Sequence, residues 1–353
     1  MIGSSVPRTG RRGQNGGMRY RRFGASELEV SEVGFGTWTI ASDWWGVVDD
    51  KDGLIHAALD AGITFFDTAP VYGADGVGES LLAPVLKAHR DEIVLTTKCG
   101  YDIDAPRTHP GQSERPHDWR PEAVRAQLEA SLRRLGTDHI DLYQLHNVRI
   151  DAMEADDLWD ELEAFRAEGK VRELGVALGP AIGWVDEGLH GLRERPIVSL
   201  QTVFNILEQE PGLTFAREPA VRDGRVGLIA RVPHASDVLS GKVTRDTTFA
   251  EGDHRAHRNR DNMLDLFDKA DALAYLHAPE TGRTLAQAAI AGILAFDGFT
   301  TVLPTCVTPE EVREYAAASE LPLIADEKAR LDELSNDNFG VVNRYEMPLK
   351  SSA

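Results

Sequence analysis

The sequence predicts an α/β protein: one closed (β/α)8 TIM barrel with a long loop after strand 7 and an extra C-terminal helix. Three observations predict it. Short apolar runs rich in β-branched and aromatic residues alternate eight times with stretches of helical periodicity across residues 18–340. No linker composition interrupts that span. The glycine-rich turn that an open, doubly wound sheet carries after its first strand is incomplete. Gly34-Phe35-Gly36 is present, but Thr39 holds the third glycine position and no acidic residue is placed for a ribose.

Taken in order, the first unit is a strand over 31–37 and a helix over 51–61. The second strand, 63–66, runs directly into Asp67; Pro70 and Gly73 turn the chain before a helix over 79–89. The third strand, 93–99, leads to a helix over 121–135, where Val124, Leu128, Leu132 and Leu135 recur at helical spacing. The fourth unit pairs 139–145 with 157–167, the fifth 171–178 with a short helix near 184–189, and the sixth 198–204 with 215–221. In the seventh, a strand over 226–232 is separated from its helix at 284–294 by a polar insertion over 237–262. The eighth strand, 300–303, precedes helices over 309–318 and 326–334. Residues 1–17, rich in Gly, Ser and Arg, read as a disordered tail, and 341–353 as a C-terminal tail.

Composition narrows the function classes. With 57 acidic against 38 basic residues the formal charge is −19, which argues against nucleic acid and anionic membrane as partners. No apolar run approaches the roughly 18 residues of a membrane span. Arg11-Arg12 lacks the hydrophobic stretch of an export signal, so a cytoplasmic location is expected. Cys99 and Cys306 each lie in an apolar run and are expected to be buried free thiols. His254 and His257 have no third ligand at suitable spacing, so no metal site is expected. Nothing in the sequence specifies an oligomer.

In a barrel of this kind, chemistry gathers where the strands end. The second strand ends on Asp67 with Tyr72 just beyond, the third carries Lys98, and the fourth ends on His146. A carboxylate, a phenol, an ammonium and an imidazole thus converge from three adjacent strands. A tyrosine of ordinary pKa, about 10, is a poor acid at neutral pH. A neighbouring ammonium favours the phenolate and lowers that pKa, while a carboxylate keeps the lysine charged and in place. The histidine can donate a hydrogen bond to a substrate oxygen. Such a site can protonate a developing alkoxide, and because no side chain donates hydride, a nicotinamide cofactor is implied. A metal-dependent hydrolase would need clustered strand-end ligands that are not seen. A nucleotide-binding regulatory or redox-sensing barrel with little turnover is the competing reading.

Several segments together resemble the aldo-keto reductases over residues 18–340. They are Gly34-Phe35-Gly36-Thr37-Trp38, Phe66-Asp67-Thr68-Ala69-Pro70-Val71-Tyr72-Gly73 and Thr97-Lys98-Cys99-Gly100. Further matches are Ser131-Leu132-Arg133-Arg134-Leu135-Gly136, Ile140-Asp141-Leu142-Tyr143-Gln144-Leu145-His146 and Glu168-Gly169-Lys170-Val171-Arg172-Glu173-Leu174-Gly175-Val176. The resemblance implies a barrel that reduces small-molecule aldehydes or ketones to alcohols, or the reverse, with NADPH. It makes Tyr72 the general acid, Lys98 and Asp67 the groups that tune it, His146 the group that orients the carbonyl, and Trp38 a wall of the substrate pocket. The cofactor half departs from the family pattern. The usual Ser-Asn pair after the fifth strand is Ala177-Leu178, though Gln201 is retained. The aromatic expected to stack on the nicotinamide is Arg231, and the Ser-Pro-Leu after it is Val232-Pro233-His234. Around the adenosine, the resemblance points to Thr305, Glu311 and Arg313; an acidic Glu311 there weakens the case for a 2′-phosphate. NADP(H) stays the expected cofactor because the resemblance implies it, with NAD(H) as the alternative. The cationic run at 253–258 has two readings: a solvated loop, or a flap over the cofactor pyrophosphate.

Overall fold

The computed structural model describes residues 17–42, 45–106 and 114–351. Strands β1 (Tyr20–Arg22) and β2 (Glu29–Ser31) form an antiparallel hairpin. The barrel strands are β3 (Phe35–Gly36), β4 (Phe65–Asp67), β5 (Val94–Cys99), β6 (Ile140–His146), β7 (Val171–Ala177), β8 (Ser199–Val203), β9 (Gly227–Arg231) and β10 (Phe299–Leu303). They pair in parallel in sequence order from β3 to β10. The ring is completed just before β3, where Gly34 N–H donates to the Val302 carbonyl and Val302 N–H to that of Glu32, both at 2.9 Å. The fold is the (β/α)8 barrel expected.

Helices cover the outside of the ring, so the strands are largely buried on both faces; every residue of β6 is buried, Asp141, Gln144 and His146 included. One end of the barrel is sealed by the hairpin. Phe23, Leu28 and Val30 pack on Phe65, Leu142, Ile229 and Leu303. Gly24, at φ +57°, lies so close beneath β8 and β9 that a Cβ would stand 2.5 Å from the Arg225 carbonyl oxygen. Arg225 and Val198 precede β9 and β8, so the plug sits at the N-terminal end and the opposite mouth is left for chemistry.

In three segments the structure adds detail that the sequence reading lacked. The helix over 79–89 is two helices, Val77–Ser80 and Ala83–His89, because Pro84 has no N–H and is tolerated only in a first turn. The polar insertion contains the 3-10 turn His254–His257. A helix, Arg260–Asp271, then starts well before 284, capped by Asn259, whose side chain accepts from Asp261 N–H at 2.8 Å. Residues 341–351 run back across the open mouth. Lys350 N–H donates to the Ile182 carbonyl at 2.9 Å, and Arg344 pairs with Asp265 at 2.7 Å. Among the described residues no helix is long and apolar enough to cross a membrane, and Cys99 and Cys306 are buried free thiols.

Candidate active site

The register of three adjacent strands brings the predicted groups together. Asp67 ends β4 beside Thr96, Lys98 lies in β5 beside Gln144, and His146 ends β6 beside Ala177. Tyr72 is delivered by the turn after β4, where its N–H donates to the Ala69 carbonyl at 3.1 Å. The Lys98 ammonium is fully buried and uses all three donors: Asp67 Oδ1 at 2.6 Å, the Thr68 carbonyl at 2.8 Å and Tyr72 Oη at 3.1 Å. The other Asp67 oxygen accepts from Gln144 Nε2 and Gln201 Nε2, each at 3.3 Å. Gln201, expected to face the cofactor, therefore also braces the carboxylate.

His146 stands edge-on to Tyr72, with ring centroids 5.8 Å apart and planes at 86°. On its other side it meets Tyr101 at 5.0 Å, and its carbonyl accepts from His117 Nε2 at 3.1 Å. His117 is stacked between Tyr101 and Trp119, which stiffens the wall behind the imidazole.

The electrostatics correct one expectation. Burial raises the Tyr72 pKa above 10; the Lys98 ammonium opposes this without overcoming it. Tyr72 therefore keeps its proton at neutral pH, as a general acid must, while the ammonium stands ready to stabilise the phenolate. Burial disfavours the charged form of Lys98, but Asp67 and Tyr72 outweigh it and hold the pKa above the ordinary 10.5. Burial, then the Lys98 and Arg231 charges, push His146 well below 6.5, so it meets a ligand as a neutral imidazole.

These groups open into a cavity of about 510 Å³ lined by Trp38, Asp67, Tyr72, His146, Gln201, Arg231 and Thr305 among others. Lys98 lies beneath it. Pro233, Glu311 and Arg313 are not among its lining residues. The Glu311 carboxylate caps its own helix by accepting from Val307 N–H at 2.8 Å and pairs with Lys242 at 2.6 Å; Arg313 pairs with Glu310. Arg231 reaches from β9 across β8 to donate to the Leu178 carbonyl beyond β7.

Over one side of the mouth, Trp38, Trp45 and His254 form an aromatic wall, with His254 5.1 Å from Trp38 and 5.8 Å from Trp45. Asp237, buried and at φ +73°, ties this wall together. Its Oδ2 accepts from Trp45 Nε1 at 3.0 Å and from Arg255 Nη1 at 2.6 Å. In the cationic run, Arg255 pairs with Asp237 and Asp253, and Arg258 with Glu208. The run thus lies at the mouth with these two arginines already paired. Sequence reasoning passed over Trp45, Tyr101, Glu114 and Asn147, all of which line the cavity. Asn147, next to His146 at a strand end, carried the clearest signal.

A buried phenol held beside an ammonium can give a proton, but no side chain can give hydride, so reductive chemistry at such a site calls for a bound nicotinamide. Sequence comparison makes the assignment specific. The model of the aldo/keto reductase family matches residues 32–336, and the chain belongs to that family. It is an NAD(P)H-dependent enzyme interconverting a small carbonyl compound and its alcohol. It is 32% identical to aldo-keto reductase YhdN of Bacillus subtilis, over 68% of this chain and 69% of that protein. It is 29% identical to the NADH-specific methylglyoxal reductase of Escherichia coli, over 85% and 93% of the two chains. Among solved structures, the glycerol dehydrogenase of Gluconobacter oxydans superposes with a TM-score of 0.76 at 26% identity, covering 93% of this chain and 99% of that one.

Proposed function

We propose that Tyr72 is the proton donor of carbonyl reduction, tuned by Lys98 and Asp67, with His146 orienting the substrate and Trp38 walling its pocket. The observation that carries this reading is the single Lys98 ammonium bridging Asp67 and the Tyr72 hydroxyl at 2.6 and 3.1 Å. A carbonyl oxygen lodged between Tyr72 and His146 accepts from the phenol and from the neutral imidazole. Dihydronicotinamide, when bound, supplies hydride to the carbonyl carbon. Negative charge then builds on the oxygen, Tyr72 passes its proton to it, and the phenolate left behind is stabilised by the adjacent ammonium. The reverse reaction uses the same groups, with the phenolate as base.

Gln201, Arg231 and Thr305 are the lining residues offered to the cofactor, and the cavity volume falls within the ~300–1,000 Å³ usual for such sites. Buried polar atoms without partners, Arg231 Nε among them, support a polar ligand there. NADP(H) is the first assignment, as the cofactor the family resemblance implies, although Lys242 is already paired with Glu311 at 2.6 Å. NAD(H) remains the second reading because Glu311 offers a carboxylate to ribose hydroxyls, and one relative is named as NADH-specific. The names of the relatives, a methylglyoxal reductase and a glycerol dehydrogenase, favour a small, polar carbonyl or polyol.

The test is Tyr72→Phe. Reduction of a reactive aldehyde should fall by about a hundredfold to ten-thousandfold, the worth of general-acid catalysis where the phenol has no substitute. Cofactor affinity, read by fluorescence quenching with NADPH and NADH, should stay within about twofold, since only one hydroxyl is removed. Retained turnover would remove Tyr72 from the acid role.

A further inference from the structure

Two residues of the cavity wall, whose side chains meet at one glycine, hold buried polar atoms without a partner. The atoms are Arg231 Nε, a donor, and Asn147 Oδ1, an acceptor. A Cβ on Gly179 would stand 1.7 Å from Arg231 Nη2 and 3.1 Å from Asn147 Oδ1, so Gly179 is what admits the guanidinium beside the amide. The orientation of Asn147 is dictated by its other end. Its Nδ2 donates to Tyr101 Oη at 2.7 Å and to Glu114 Oε1 at 3.3 Å; a carboxylate only accepts, so the NH₂ must face it. Arg149 holds that carboxylate from the far side at 2.8 Å. The backbone is specialised as well, for Asn147 has φ +53°, a conformation asparagine tolerates better than most residues. Among the described residues the Arg231 side chain has no carboxylate partner, and its one hydrogen bond is to the Leu178 carbonyl. Beside them, Ala177 and Leu178 bring side chains that cannot hydrogen-bond.

A ligand group that satisfies both atoms must present an acceptor and a donor on one small planar unit. A carboxylate or ketone lacks the donor, and an ammonium lacks the acceptor. A hydroxyl and a primary carboxamide have both, and of the two it is the carboxamide that the nicotinamide ring carries. We propose that Asn147 and Arg231 clamp the carboxamide of the nicotinamide ring, Asn147 Oδ1 accepting from its NH₂ and Arg231 Nε donating to its oxygen. The inference rests on the nicotinamide reading above and deepens it by assigning two specific contacts, one of them to a residue next to His146. The clamp would fix the rotation of the ring, and with it the face presented to the substrate.

The experiment compares two cofactors by fluorescence titration of the full-length protein. One is NADPH or NADH, whichever binds more tightly; the other is its 3-acetylpyridine analogue, in which a methyl ketone replaces the carboxamide and only the acceptor survives. The native protein should bind the amide form about tenfold more tightly, the weight of one buried hydrogen bond. Asn147→Gly, chosen because glycine accepts a positive φ without strain, should lose about tenfold on the amide form and little on the analogue, bringing the ratio near one. Arg231→Met should weaken both forms alike and preserve the ratio, since both ring substituents offer an oxygen. A native ratio near one, or a ratio unchanged by Asn147→Gly, overturns the clamp while leaving the enzyme reading intact. Failure of the native protein to bind any nicotinamide cofactor would overturn both.

Discussion

Replacing Lys98 by Met keeps the volume of a fully buried side chain and removes its charge. The Asp67 carboxylate, itself 3% exposed, would retain only two amide donors at 3.3 Å. Stranding one member of a buried ion pair costs about 3–5 kcal/mol of folding stability. The catalytic loss is separate. A unit charge near 4 Å at an effective dielectric of 20 is worth about 4 kcal/mol to the phenolate, or about three decades in rate. Lys98→Met should therefore unfold at lower urea, by that 3–5 kcal/mol, and reduce aldehydes about a thousandfold more slowly. The double variant Asp67→Asn with Lys98→Met removes both buried charges. It should regain most of the stability and none of the activity. A pH series adds a further check. The folded-state pKa of Lys98 lies above the ordinary 10.5, so its contribution is complete below 10.5 and disappears as pH rises through the higher folded value. The native protein should weaken in strong alkali by a component absent from Lys98→Met. A double variant as unstable as the single one, or one that recovers turnover, would refute the reasoning.

Two other outcomes are expected. Asp237→Ala removes the acceptor shared by Trp45 and Arg255 at the mouth, so stopped-flow measurement should show cofactor leaving at least about tenfold faster, the weight of one lost hydrogen bond to a charged group; an unaltered dissociation rate would show that the wall does not gate the cavity. Burial pushes His234 down to about 4, while unfolded histidine titrates near 6.5, so the folded state binds fewer protons between those values and stability should fall as pH drops from 6.5 toward 4. His234→Phe, which keeps a ring against Tyr315, should flatten that slope in urea titrations, and an unchanged slope would assign it to other groups.

What could be read in advance follows from how local each signal is. Asp67 and His146 end short strands and Lys98 stands one residue from the end of another, and the strand order of a barrel makes neighbours in sequence neighbours in space, so their convergence was legible. The direction of the Tyr72 shift was not, because pairwise charges favour the phenolate whereas burial is a collective property of the whole mouth and outweighs them. The hairpin that plugs the barrel was equally hidden: Tyr20-Arg21-Arg22 looks like surface, yet Arg21 is spent on buried Glu32 at 2.7 Å and on the Phe299 carbonyl. The tie from Trp45 to Asp237 spans 192 positions, and the strap at Lys350 meets Ile182 from the far end of the chain; no short-range pattern specifies either. The division has a physical source. The half of the site proposed for proton transfer stands on consecutive strands, where periodicity dictates position, while the half proposed for the cofactor is assembled from loops and from one arginine that crosses two strands. Residue type alone could place the first half. In the second, Asn147 and Arg231 acquire meaning only through what their remaining hydrogen-bonding atoms lack, and that is visible only once the neighbours are in place.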